Sequence, residues 1–320
     1  MSWVQRKGSV IYLQTDESQV FYYDEKERPL GEGAMGTVYK GYNYNTGESV
    51  AIKRVLDQYS EIPGIRFRAK QEASLMFSHY NLVEMLGYCE CHPNKGPIFI
   101  ISKYVKGDTI DVFVNSRLRS MENAYKRICE MFLPVCDALS YIHSKGIIHA
   151  DIKPSNIMVE DGKNVRLMDL GIAQVQMHSG STMTTGMMGT PRYAAPEQFS
   201  ASPSDPNALT AETDIYELGV TIYEVLAKKN PYDGANLEEI KENHKKIVLP
   251  YILGVPNGIV NVLRKATNPT PTARYSNVSQ FKMALTQSLL VPEKKSVVPW
   301  VILSILIVAI VLLLLVIVLK

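Results

Sequence analysis

The sequence predicts an α+β fold in which a small antiparallel β-sheet precedes a larger, mainly helical lobe, with an apolar segment at the C-terminal end. Three observations carry that expectation. Short β-rich runs separated by turn residues fill the chain before about Asp108, and beyond it apolar residues recur at three- and four-residue steps. Finally, Val297 to Leu319 reads VVPWVILSILIVAIVLLLLVIVL, without a charge.

Taken in order, Val10 to Leu13 and Val20 to Tyr23 are β-rich patches separated by the polar run Gln14 to Gln19, and they read as a hairpin or as added strands. Leu30 to Tyr42 and Ser49 to Val55 read as successive antiparallel strands, joined by a turn at Asn45, Thr46 and Gly47. Pro29 removes a backbone donor just before the first of these, which predicts an edge-like or shortened strand. From Ala124 to Ser144, Ile128, Phe132, Val135, Leu139 and Ile142 form the apolar stripe of a helix. Val291 to Pro299 is a short linker bearing proline and lysine. The run from residue 297 to 319 has the length to span a hydrocarbon core of about 30 Å at about 1.5 Å per residue. A buried core helix is the alternative, but such helices are seldom apolar all round for this long. Lys294 and Lys295 precede the run, which predicts a single-pass protein whose preceding residues are cytoplasmic. A tail anchor and a longer protein with a far-side domain both fit.

Composition excludes several classes. A hydrophobic share of 46% against 21% charged is that of a folded chain. Basic and acidic residues nearly cancel, 34 against 32, so there is no long-range field to collect nucleic acid, which is not expected as a partner. Cys89, Cys91, Cys129 and Cys136 contain no CxxC pair and read as thiols in a reducing compartment, not as zinc ligands. The N-terminus has no apolar core of signal-peptide length.

The chemistry-bearing residues fall in short motifs. Leu30-Gly31-Glu32-Gly33-Ala34-Met35-Gly36-Thr37-Val38 fits a glycine-rich loop whose missing β-carbons let backbone N–H groups approach phosphates. A dinucleotide fold would need a helix next, and a strand follows here. Val50-Ala51-Ile52-Lys53 places an ammonium on a strand, where it can pair with α- and β-phosphates. Ile148 to Asn156 spaces an aspartate, a lysine and an asparagine over one tight loop. Asp151 can accept and orient a hydroxyl proton, Lys153 can neutralise charge on a transferring phosphate, and Asn156 can offer an amide oxygen to magnesium. Asp169 in Asp-Leu-Gly adds a carboxylate for the metal.

These motifs, followed in order by Gly189 to Glu197 (GTPRYAAPE), resemble the set of the protein kinase family, over roughly Tyr22 to Leu290. In particular the chain resembles bacterial, eukaryotic-like, membrane-anchored serine/threonine kinases. The resemblance implies a bilobal protein-kinase-like fold, ATP and Mg2+ as cofactors with Mn2+ as a substitute, and a protein substrate. Together with the β-rich patches and the uncharged run read above, it divides the chain into a β-rich extension at 1–21, a kinase domain at 22–290, a juxtamembrane linker at 291–296 and, on the length and apolarity of the run, a transmembrane helix at 297–319. It implies that Lys53, Asp151 and Lys153 are catalytic, with Glu72, taken by elimination, as the helix glutamate that pairs with Lys53. Leu30, Gly31, Gly33, Gly36, Val38, Ala51, Lys53, Lys103, Val105 and Met158 would contact the nucleotide, and Asn156 and Asp169 the metal. Asp214 would anchor the catalytic loop, and Arg274 would pair with Glu197. Thr190 and Lys153 point to the serine/threonine branch.

Ala150 departs from the pattern, standing where regulated kinases carry an arginine that pairs with a phosphorylated activation segment. Leu170 replaces the family's phenylalanine. Thr184 and Thr185, near Ser179, Ser181 and Thr182, are candidate autophosphorylation sites or simply polar loop residues. A bilayer partner at 297–319 would concentrate neighbouring copies, so a homodimer is among the expected partners. A catalytically silent kinase-like membrane scaffold is the alternative function. A small-molecule kinase is a third reading, against which Gly189 to Glu197 speaks.

Overall fold

Period-two burial builds the N-terminal lobe. In β2 (Val10–Gln14) and β3 (Val20–Asp24) the buried residues are Ile11, Leu13, Phe21 and Tyr23, while Tyr12 and Tyr22 stand on the other face. β1 (Trp3–Lys7) precedes them, and β4 (Gly31–Gly33), β5 (Gly36–Asn43), β6 (Ser49–Val55), β7 (Met85–His92) and β8 (Lys95–Lys103) follow. The computed structural model describes residues 2–33, 36–55, 66, 77–92, 95–168, 190–200 and 209–290.

The strands form one antiparallel sheet in the order β1-β2-β3-β5-β6-β8-β7, with β4 paired to β5. Expected as one strand, Leu30 to Tyr42 is instead a tight hairpin: β4 folds back on β5 with Gly33 opposite Gly36. Gly36 has a packing reason, since a β-carbon there would lie 2.5 Å from the carbonyl oxygen of Arg54. β4 is only three residues long, the shortened strand that Pro29 predicts.

Ile11, Leu13, Phe21, Tyr23, Val50, Ile52, Cys89, Phe99 and Ile101 make a single core on one face of this sheet. The sheet curls over it until its ends approach: Cys89 Sγ donates to the carbonyl of Trp3 at 3.1 Å. Gly87, at φ +146°, passes against Thr15, where a β-carbon would meet the threonine methyl at 2.6 Å. β3 runs straight through the boundary expected between residues 21 and 22.

The second lobe opens with a small sheet, β11-β10-β9, of β9 (Gly107–Thr109), β10 (Ile157–Glu160) and β11 (Asn164–Leu167). Its helices are α1 (Ile110–Phe113), continued by a π turn, α2 (Ala124–His143), α3 (Ala211–Ala227), α4 (Leu237–Lys246), α5 (Asn257–Ala266) and α6 (Val278–Leu290). α2 matches the expected helix, with Ile128, Phe132, Val135, Leu139 and Ile142 all buried. α3 is buried nearly all round, from Thr213 to Tyr223 without a break, so it is a central post of the lobe.

The chain divides into two compact units, 1–288 and 289–320, and of the second only Leu289 and Leu290 are described. The expected linker and span at 291–319 lie outside the described residues. Among the described residues no helix is long and apolar enough to cross a membrane.

Candidate active site

Residues 149–153, after α2, lie in no strand or helix, so their backbone groups must be satisfied from elsewhere. α3 supplies the partners. Asp214, fully buried, accepts from the N–H of Ala150 at 2.7 Å and of His149 at 2.9 Å, while His143 Nε2 contacts its Oδ2 at 2.7 Å. One turn on, Glu217 Oε2 accepts from the N–H of Ile152 at 2.7 Å. A further turn on, the Thr221 hydroxyl donates to the carbonyl of Ile152 at 3.0 Å. Gln198, in the 3-10 turn Pro196–Phe199, donates to the carbonyl of Ala150 at 3.1 Å. Ala150 itself is buried with φ +55°, a left-handed conformation that these bonds on both sides of it hold in place.

This scaffold presents Asp151 with both carboxylate oxygens engaged. Lys153 Nζ lies 2.8 Å from Oδ2 and Asn156 Nδ2 lies 3.2 Å from it. The Thr190 hydroxyl donates to Oδ1 at 2.9 Å and accepts from Lys153 Nζ at 2.8 Å. Asn156 Nδ2 also donates to the Asp151 carbonyl at 2.8 Å, which orients the amide and leaves its oxygen as the remaining acceptor. The Asn156 carbonyl accepts from the N–H of Met168 at 2.8 Å, fixing the residue just before Asp169. His149 accepts the Asp151 N–H at Nδ1 (3.3 Å), so Nε2 carries the proton and donates to the carbonyl of Met168 at 3.1 Å.

One charge in this array is anomalous. Burial pushes the carboxyl of Glu217 well above the usual carboxylate range, and neighbouring Asp214 pushes it the same way. Its Oε1 has no partner among the described residues.

A second group of expected residues belongs to the β-sheet. Lys53 stands opposite Val38 in β5 and Ile100 in β8, and register places Val38, Ala51 and Lys53 on one face. The Leu30 N–H donates to the Val38 carbonyl at 2.8 Å, closing the base of the hairpin that holds Gly31, Gly33 and Gly36. Lys103 ends β8, with its N–H on the Glu84 carbonyl at 2.9 Å, and Met158 lies in β10 opposite Thr109. Val105 is 7% exposed, and its backbone N–H has no partner among the described residues. An open groove of about 730 Å3 borders Val50, Glu84, Lys103 and Tyr104 but carries none of Lys53, Asp151 or Asn156. Glu72, Asp169, Leu170 and the residues from Ser179 to Thr185 lie outside the described residues.

Arg274 pairs with Glu197 through two bonds of 2.7 and 2.9 Å, tying the 3-10 turn Pro271–Ala273 to the Pro196–Phe199 turn. A protein kinase domain model matches residues 24–295. The chain belongs to the protein kinase family. This kinase is 30% identical to the probable serine/threonine-protein kinase PknB of Lactococcus lactis, over 79% of its own length and 40% of that protein. It is 29% identical to the serine/threonine-protein kinase PknB of Mycobacterium tuberculosis, over 81% of its own length and 41% of that protein. A probable serine/threonine-protein kinase of Streptomyces coelicolor is likewise 29% identical, over 81% of this kinase and 39% of the relative. The chain therefore spans well under half the length of these relatives. Membership brings with it the α+β kinase fold described above and a general requirement for ATP and a divalent metal.

Glu217, Thr221 and Gln198 are the parts of this site that lie outside the motifs, whereas Thr190, expected only as a mark of the serine/threonine branch, also bonds Asp151 and Lys153. A signal for the first two is their spacing, three and seven residues after Asp214, which keeps them on one face of the helix within its buried stretch from Thr213 to Tyr223.

Proposed function

We propose that this protein is a serine/threonine kinase that transfers the γ-phosphate of ATP to protein hydroxyls and is tethered to a membrane by residues 297–319. The observation that carries the catalytic half is the Asp151 carboxylate, held between Lys153, Asn156 and Thr190 on a loop pinned to α3. In that position Asp151 orients the attacking hydroxyl and accepts its proton, and Lys153 offsets charge on the phosphoryl oxygens. The Thr190 hydroxyl rests on the carboxylate that a substrate hydroxyl would use, which suits a serine or threonine acceptor.

Bound ATP and Mg2+ supply the phosphoryl group and neutralise its charge. Asn156 fits the metal, because its amide nitrogen is committed to Asp151 and its oxygen is the acceptor left over. Asp169 would be the second metal ligand. The buried Val105 amide suits an adenine edge, with Val38, Ala51 and Met158 around the base and Lys53 on the phosphates. Glu72 is the proposed partner of Lys53.

Purified protein given labelled ATP, Mg2+ and a generic basic protein is expected to transfer label, and Asp151→Asn to lower kcat by about a thousandfold or more while nucleotide binding persists. Transfer unaffected by Asp151→Asn, or nucleotide binding with no transfer by the wild type, sinks the enzyme reading and leaves the scaffold.

Membrane tethering rests on the uncharged run and its lysine flank. Full-length protein should sediment with membranes and resist alkaline extraction, and deletion of 297–319 should release it. Release of the intact chain by alkali would refute the anchor.

A further inference from the structure

Three polar side chains of α3, Asp214, Glu217 and Thr221, lie at i, i+3 and i+7 and so line one face of a buried helix. Together they take the backbone of residues 149–152: Asp214 the first two N–H groups, Glu217 the N–H of Ile152, Thr221 its carbonyl. The bond to Glu217 is 2.7 Å long and fixes the peptide unit that joins Asp151 to Ile152, one covalent step from the carboxylate proposed to orient the substrate hydroxyl.

The surroundings of Glu217 do not suit an anion. It is 1% exposed, and its Oε1 has no partner among the described residues. The charged groups acting on it are two more carboxylates, Asp214 on its own helix and Asp151 on the loop. The nearby basic side chains are committed elsewhere: Lys153 to Asp151 and Thr190, His143 to Asp214, Arg274 to Glu197. His149 uses both ring nitrogens, and Gln198 brings only an uncharged amide. Asp214 has two loop N–H groups and His143 on its oxygens and Glu217 has the Ile152 N–H and the uncharged Gln198 amide, so of these two adjacent buried carboxyls Glu217 is the one that holds a proton.

We propose that Glu217 is a positioning residue for phosphoryl transfer, acting as a buried carboxylic acid whose Oε2 accepts from Ile152 and whose proton sits on Oε1. This deepens the kinase reading above and rests on it. The acid form lets a third carboxyl sit under the loop beside Asp151 and Asp214 without adding a third negative charge, while keeping the hydrogen bond that sets the direction of Asp151. The upward push of burial and of Asp214 on this carboxyl agrees with it.

The test uses the full chain as wild type, Glu217→Ala and Glu217→Gln. Loss of the acceptor in Glu217→Ala should lower kcat about tenfold with the KM for ATP changed less than about twofold, and the neutral isostere Glu217→Gln should recover kcat to within about twofold of wild type. The second readout is the urea midpoint. A carboxyl whose pKa is raised on folding stabilises the protein most below its unfolded value and progressively less as pH rises toward the folded value. The midpoint of Glu217→Gln should therefore gain on wild type as pH rises from the ordinary glutamate value of 4.5 toward neutrality. A midpoint difference that stays constant over that range, or a Gln variant as slow as the Ala variant, overturns the proposal. If Glu217→Ala does not fold, the Gln variant decides alone. If the wild type transfers no phosphate, the functional reading falls, and the urea series together with amide exchange at Ile152, slow in wild type and Gln and fast in Ala, still decides this one.

Discussion

Ala150 and His244 show how single side chains set the terms for the substrate side of the site. Ala150 is buried at φ +55°, bonded through its N–H to Asp214 and through its carbonyl to Gln198, so the loop is held in shape without a guanidinium or a phosphate. Residue 150 therefore has no arginine to pair with a phosphate, and the loop is shaped by Asp214 and Gln198 instead. His244, 1% exposed, bridges Tyr216 Oη at 2.7 Å and the carbonyl of Pro191 at 2.9 Å. It thereby links α4 and α3 to the residue after Thr190. Burial lowers its pKa from 6.5 to about 4, so the folded protein holds it neutral where the unfolded chain would protonate it. The unfolded state then binds more protons below about pH 6.5, and stability should fall as pH drops from there toward about 4. Urea midpoints for wild type and His244→Gln measured across that window should converge as the pH falls; parallel curves would show that His244 does not contribute.

At the scale of elements, the ion pair between Arg274 and Glu197 ties two 3-10 turns that are 77 residues apart in sequence. The Arg274 side chain is fully buried and gives further bonds to the carbonyls of Asn268, Pro269 and Glu212. Arg274→Ala should lower stability by about 3–5 kcal/mol, because Glu197 and three carbonyls lose their donor inside the protein. Arg274→Lys should recover only part, since an ammonium cannot reproduce the planar fork; chemical denaturation checks both. This pair was legible in the sequence because each member sits in or beside a recognisable motif, as do Lys53, Asp151, Asn156 and Asp214. Glu217 is far less legible, because an acid between Tyr216 and Leu218 is marked only by its spacing from Asp214 and by nothing that says it will be buried. β1 escaped notice for the opposite reason: it is a peripheral strand with four of five residues exposed, so WVQRK shows no alternation. The β4–β5 hairpin was read as one strand because three glycines and a small residue mask the reversal that falls between Gly33 and Gly36.

The largest scale joins these parts, since the first lobe is organised around a core to which the earliest strands contribute as much as the later ones. Ile11, Leu13, Phe21 and Tyr23 are all 5% exposed or less. Removing them would leave Val50, Ile52, Phe99 and Ile101 facing solvent, at about 1.5–3 kcal/mol for each large side chain uncovered. A protein begun at residue 24 should accordingly collect in the insoluble fraction or bind a hydrophobic dye, whereas one begun at residue 2 should not; equal solubility and equal melting of the two would contradict the shared core. The match to the kinase family starts at that same residue 24. Inheritance and folding thus mark out different lengths of this chain. What it shares by descent is a catalytic body that begins in the last residue of β3, but what must be synthesised before that body can hold its shape includes β2 and the rest of β3, which the family match does not reach.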